Sequence, residues 1–278
     1  MSGVSAPYRF PLDLVEREPI APAYAGPVDI WDIDQTYLDT RLRRWRDLIA
    51  TALESAEDKR ARPGVVPLLH ALRRGTDPER PCPLYFVSAS PPQLRPVLEQ
   101  KLAIDGIPCN GMALKDHLAL LGARRLREIR RHVGYKLSAL LLFRARWPAG
   151  AREWLYGDDG ESDPVIYATY RQIRRGELAG EALEAQLAEL QVDPRDRAAI
   201  ARLAEQAQTA SPPPPGGSVE AIYIVRTDPT GGPDLDHLPG VCVVRDAAEL
   251  ARRLAERGRI DDRAVEEVTA AVREQQPR

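Results

Sequence analysis

The chain has 278 residues, 44% hydrophobic and 29% charged, the composition of a globular protein that can bury a core. Its 39 Lys and Arg against 41 Asp and Glu leave a formal charge of −2, which argues against attachment to nucleic acid or anionic lipid by bulk charge alone. The longest apolar run, Leu137 to Phe143, falls far short of the roughly 20 residues that span a bilayer, so no transmembrane segment is expected.

In chain order, residues 1–25 are proline-rich without sustained periodicity and are expected to form an irregular arm. Val28-Asp29-Ile30-Trp31 reads as a buried strand ending at Asp32. Leu42, Trp45 and Ile49 share one helical face, and a second helix starts at Pro63-Gly64, carries Val66, Leu69 and Leu72, and stops at Gly75. Pro83 to Val87 is the next strand, ending in Ser88-Ala89-Ser90, and Pro91-Pro92 opens a helix through Leu94, Leu98 and Leu102. Asp105 to Met112 reads as loop, followed by a basic helical region to His132 and a helix from Lys136 with Leu137, Leu140 and Leu141.

Trp154-Leu155-Tyr156 is a third strand, ending in Gly157-Asp158-Asp159-Gly160. A helical stretch over 178–210, with Leu183, Leu187 and Leu190 on one face, is expected as an insertion, joined by a Pro/Gly linker at 211–218. Ala221 to Val225 and Val241 to Val244 are two more strands, Asp246 a helix cap, and residues 259–278 a terminal helix and tail. Strands alternating with helices predict an α/β fold over 26–258, a Rossmann-like parallel sheet with helices on both faces.

Cys82, Cys109 and Cys242 lack the spacing of a zinc site or disulfide framework, and the amino terminus shows no signal pattern. A cytoplasmic protein with reduced thiols is expected. Lysine occurs only at positions 59, 101, 115 and 136 while every other cation is arginine, so each lysine marks a place where arginine has not replaced it. The four histidines show no metal-ligand spacing, the tryptophans read as packing groups, and the arginines of 124–131 read as a solvated face or a contact for an anionic substrate.

Open parallel sheets bind ligands beyond the carboxyl ends of their strands. Three strands end there in Asp32-Ile33-Asp34-Gln35-Thr36, Ser88-Ala89-Ser90 and Asp158-Asp159-Gly160-Glu161-Ser162-Asp163, with Lys136 between the second and third. Each piece alone has a bland reading as a cap, a turn former or a solvated side chain. Their order resembles the motif series of the haloacid dehalogenase-like phosphohydrolases over roughly 26–258. Within that superfamily the chain is most similar to the actin-patch type phosphatidate phosphatase catalytic domain and its bacterial relatives. Gln35, where that group usually carries a third aspartate, and Asp159, where it carries serine, depart from the pattern.

The resemblance implies a phosphatase with a small or minimal cap, dependent on Mg²⁺ and acting through an aspartyl-phosphate. Asp32 would be the nucleophile and Asp34 the general acid and base, brought together by a bend that Thr36 stabilises with a side-chain hydrogen bond. Ser88 and Lys136 would offset the charge of the phosphate, with Thr36, Ala89, Ser90 and loop N–H groups around it. Asp32, Asp34, Asp158 and Asp163 would hold the metal, and Asp159 and Glu161 would support the loop. The implied partner is a phosphorylated substrate, phosphatidate-like or another large phosphomonoester. A phospho-ligand binding protein without turnover is the alternative. A two-metal nuclease fits less well, because it needs no serine and lysine cradle.

Overall fold

Strands with apolar side chains on both faces require helices above and below them. The computed structural model of the chain, which describes residues 12–39, 59–75, 80–116, 132–160, 162–228 and 231–275, contains such an arrangement around a 7-stranded sheet. The first half runs β1 (Leu12–Glu16), β2 (Pro27–Asp32), α1 (Val65–Arg74), β3 (Leu84–Ser88), a 3-10 turn (Pro92–Leu94), α2 (Arg95–Ile104) and β4 (Gly111–Lys115). The second runs α3 (Val133–Arg144), β5 (Arg152–Asp158), α4 (Asp163–Arg175), α5 (Gly180–Glu189), α6 (Pro194–Ala210), β6 (Val219–Val225), β7 (Val241–Val244), α7 (Ala247–Glu256) and α8 (Asp262–Gln275).

The strand order is β1-β4-β3-β2-β5-β6-β7, parallel throughout except that β1 pairs antiparallel with β4. This is the α/β architecture expected from the alternation of elements. Val28 and Ile30 of β2 join the core that contains α3, α4, α5 and α6, whereas Trp31 joins the core with α1, α2, α7 and α8. Leu183 and Leu187 of α5 are buried in the first of these cores. None of the described helices is long and apolar enough to cross a membrane.

An aromatic ladder pins the register of the central strands. Trp31 of β2 lies opposite Tyr156 of β5, which lies opposite Tyr223 of β6, with ring centroids 4.4 and 5.8 Å apart in nearly parallel planes. A slip of one residue would turn these rings to the other face, so the stack fixes the level at which Asp32 and Asp158 leave the sheet. Towards the amino ends of the strands, buried Asp29 accepts from Arg259 at 2.9 Å and from the Tyr156 hydroxyl at 2.9 Å.

Two stretches differ from their sequence reading. The arm expected to be irregular contains β1, whose half-buried residues pair with β4 along five positions. Gly111–Lys115, expected as the end of a loop and the start of a basic helix, is the strand β4, and residues 117–131 of that expected helix lie outside the described residues. Gly-Met-Ala-Leu-Lys holds no β-branched or aromatic residue, and pairing on both sides overrides its local preference. The helix expected around Leu42, Trp45 and Ile49 and the arginines of 124–131 lie outside the described residues. The 211–218 segment is held at both ends by Arg174, which donates to the Ser211 carbonyl at 2.6 Å and the Ser218 hydroxyl at 3.0 Å.

Candidate active site at the carboxyl ends of the central strands

The connections from β2 and β5 run to opposite sides of the sheet, and such a reversal opens a crevice at the carboxyl ends of the two strands. Asp32 is the last residue of β2, Asp158 the last of β5 and Asp163 the first of α4. One carboxylate oxygen from each lies within 4.8 Å of the others, and all three residues are buried. Lys136, in the first turns of α3, donates from Nζ to Asp32 Oδ1 at 2.7 Å and to Asp163 Oδ1 at 2.5 Å. The ammonium has 0% exposure, so its attraction to both carboxylates is little screened by water. α3 is buried along most of its length, which leaves Lys136 directed inward to the site.

Local geometry explains how three carboxylates come so close. A Cβ on Gly157 would stand 2.5 Å from Asp163 Oδ2 and 2.8 Å from the Asp163 Cβ, so only glycine lets the start of α4 fold against β5. Asp158 turns its Oδ1 back to accept from the Gly160 N–H at 2.6 Å, an Asx-type turn that fixes the loop after the strand.

Asp34 occupies a different environment. The chain bends after β2 through hydrogen bonds from the Tyr37 and Leu38 N–H groups to the Ile33 carbonyl, with Gln35 at φ +59°. This bend brings Asp34 against the carboxyl end of β3, the neighbour of β2 in the sheet. Asp34 Oδ2 accepts from the Ser88 hydroxyl at 2.8 Å and from the Ser90 hydroxyl at 3.2 Å. Ser88 Oγ in turn accepts from the Ser90 N–H at 2.9 Å. Asp32 thus faces an ammonium, and Asp34 faces hydroxyls.

One expectation is corrected here. Thr36 is buried in the bend, yet its hydroxyl makes no hydrogen bond among the described residues, so backbone bonds and not a threonine side chain hold the turn. The Ser90 N–H donates to the Ser88 hydroxyl, which in turn donates to Asp34. Ala89 lies between the two serines. The structure therefore gathers Asp32, Asp158, Asp163 and Lys136 into one cluster and Asp34, Ser88 and Ser90 into another beside it.

Asp159 supports the loop: it accepts from the Thr227 N–H at 2.7 Å, from the Thr227 hydroxyl at 2.8 Å and from Arg226 at 3.0 Å. Glu161 lies outside the described residues. His70 Nε2 meets the Asp105 carbonyl at 2.8 Å, a structural contact. Sequence reading missed Arg62, Arg226 and Thr227, which join the loops around the crevice. In a chain that uses arginine almost throughout, neither arginine carried a distinguishing signal, and Thr227 lies in no motif.

Three clustered carboxylates beside one ammonium form a donor set of hard oxygens without sulfur or imidazole. That chemistry suits Mg²⁺ or a similar hard cation, which accepts one or two carboxylates and keeps its remaining ligands as water. Residues 29–179 match the family model described as phosphatidate phosphatase APP1, catalytic domain. The match spans every residue of both clusters and ends before α5. No curated protein and no solved structure is a match for the chain.

Proposed function

The chain belongs to the phosphatidate phosphatase APP1 catalytic-domain family, a family of phosphatases, and from that premise we propose that it hydrolyses a phosphatidate-like phosphomonoester by covalent transfer to Asp32. The observation that carries this reading is the single ammonium of Lys136 held between Asp32 and Asp163 where β2 and β5 end. The same reading places the chain in the haloacid dehalogenase-like superfamily, with Mg²⁺ at Asp32, Asp158 and Asp163 and the Asp34 backbone nearby.

In the first step an Asp32 oxygen attacks phosphorus, an O–P bond forms, and the bond to the leaving oxygen breaks. Asp34, set by Ser88 and Ser90, gives its proton to that oxygen, so an alcohol departs instead of an alkoxide. In the second step water attacks the phosphorus of the aspartyl-phosphate, Asp34 takes the proton back, and inorganic phosphate leaves with the Asp32 carboxylate restored. Lys136 offsets the charge of the two anions as they approach. When bound, Mg²⁺ would supply a Lewis acid that withdraws charge from the phosphoryl oxygens.

The test is phosphate release with Mg²⁺ from phosphatidate in mixed micelles, from sn-glycerol 3-phosphate and from p-nitrophenyl phosphate. All three are expected to be hydrolysed, phosphatidate with a kcat/KM at least about tenfold above the small alkyl ester, and chelation is expected to stop each reaction. Absence of release from every substrate, or rates unchanged by chelation, would contradict the proposal.

A further inference from the structure

A line of hydrogen bonds runs around the crevice and ties the loop that carries Asp34 to the loop that carries Asp158. Arg62 follows a short backbone pairing in which Leu38 bridges Ala61, the Arg62 N–H donates to the Tyr37 carbonyl at 2.9 Å and the Asp39 N–H donates to the Arg60 carbonyl at 3.0 Å. From there its half-buried guanidinium reaches two loops at once. Nη1 donates to the Gln35 carbonyl, and Nη2 donates to the Arg226 carbonyl at 2.8 Å. Arg226 and Thr227 then grip Asp159, the residue after Asp158.

Gln35 is the residue next to Asp34 and has φ +59°, a left-handed conformation that a residue with a side chain adopts at some cost. A guanidinium on its carbonyl holds that conformation in place. Burial lowers the pKa of Arg62 from its ordinary value, while Asp158, Asp39, Asp159 and Asp246 act in the opposite direction. Arginine stays charged in such surroundings, and its planar fork suits two acceptors held at a fixed separation.

We propose that Arg62 is a positioning residue that sets Asp34 against the leaving-group oxygen by clamping the Gln35 carbonyl to the loop after β6. The proposal rests on the phosphatase reading and predicts an effect specific to the protonation of the leaving group. A nitrophenolate departs readily without a proton, whereas the alkoxide of a glycerol ester does not. The quantity compared is kcat/KM, which reports only the steps up to transfer onto Asp32.

For Arg62→Ala, kcat/KM for the alkyl phosphate is expected to fall about 10- to 100-fold, and for p-nitrophenyl phosphate by about threefold. Arg62→Lys should resemble Arg62→Ala, because a point charge cannot bridge the two carbonyls, and added guanidinium ion should recover part of the alkyl ester activity in Arg62→Ala. Should Arg62→Ala fail to fold, Asp159→Asn loosens the other end of the same line and should give the same division between substrates. Equal loss on both substrates, or no loss on either, would overturn the positioning role while leaving the phosphatase reading intact. A wild-type protein inactive on both would overturn the phosphatase reading itself.

Discussion

Asp32→Asn is expected to reduce turnover by at least about 10⁴-fold on every phosphomonoester, with the fold intact. The carboxamide has the shape of the carboxylate and its oxygen still accepts from Lys136, but it is a poor nucleophile toward phosphorus. Removal of a nucleophile eliminates the covalent route, and the small remainder reflects binding and charge stabilisation by the groups that stay. Because Asp32 belongs to a cluster of three buried carboxylates, loss of one negative charge should leave thermal stability without metal unchanged or raised. Parallel rate and melting measurements separate this outcome from simple unfolding. Substantial turnover in a folded Asp32→Asn protein would assign the nucleophile elsewhere.

Lys136→Met is expected to act on stability and rate together. Methionine keeps most of the length of the side chain and removes the charge, so the fully buried Asp32 and Asp163 lose a counter-ion 2.7 and 2.5 Å away. Breaking a buried ion pair from one side leaves an uncompensated charge and costs about 3–5 kcal/mol. Saturating Mg²⁺ should restore part of this loss, since a ligand that binds only the folded chain at 100 times its Kd adds about 2.7 kcal/mol. The rate should remain about 10²- to 10³-fold low at full metal occupancy, because the phosphoryl group then lacks one fixed cation. Lys136→Arg should not recover it, the broad fork having no room between two carboxylates that one ammonium now joins. A Lys136→Met protein with normal rate and normal melting would place this lysine outside the site.

The two strand-end aspartates of the site were legible because each lies at a punctuation mark in the sequence. Asp32 and Asp158 end short apolar runs, and apolar runs that stop at an acidic residue locate the carboxyl end of a buried strand. The scarcity of lysine pointed to Lys136, but the structure gives that signal a different meaning. Lys101 and Lys115 are buried as well, Lys101 against Asp105 at 2.5 Å and Lys115 over the Tyr135 ring at 5.1 Å. Three of the four lysines are buried and Lys59 is half-buried, so lysine in this chain marks burial of a compact cation more than it marks the site.

What the sequence hid follows from interactions that leave no periodic trace. β4 is a strand because β1 and β3 pair with it, although its own residues favour a helix. Arg62 works through two backbone carbonyls, 27 and 164 positions away in sequence, and a carbonyl is the same at every residue. The bend after Asp32 is likewise held by backbone bonds to the Ile33 carbonyl, so the nearby threonine suggested a side-chain role that the structure gives to main chain.

The account turns on a phosphoryl group carried by Asp32, and a crystal structure with Mg²⁺ and trifluoroberyllate, a mimic of that group, tests it most directly. The account predicts beryllium bonded to an Asp32 carboxylate oxygen, the cation against Asp32, Asp158 and Asp163, and Lys136 in contact with a fluoride. Trifluoroberyllate on another side chain, or a cation bound away from these three aspartates, would contradict it.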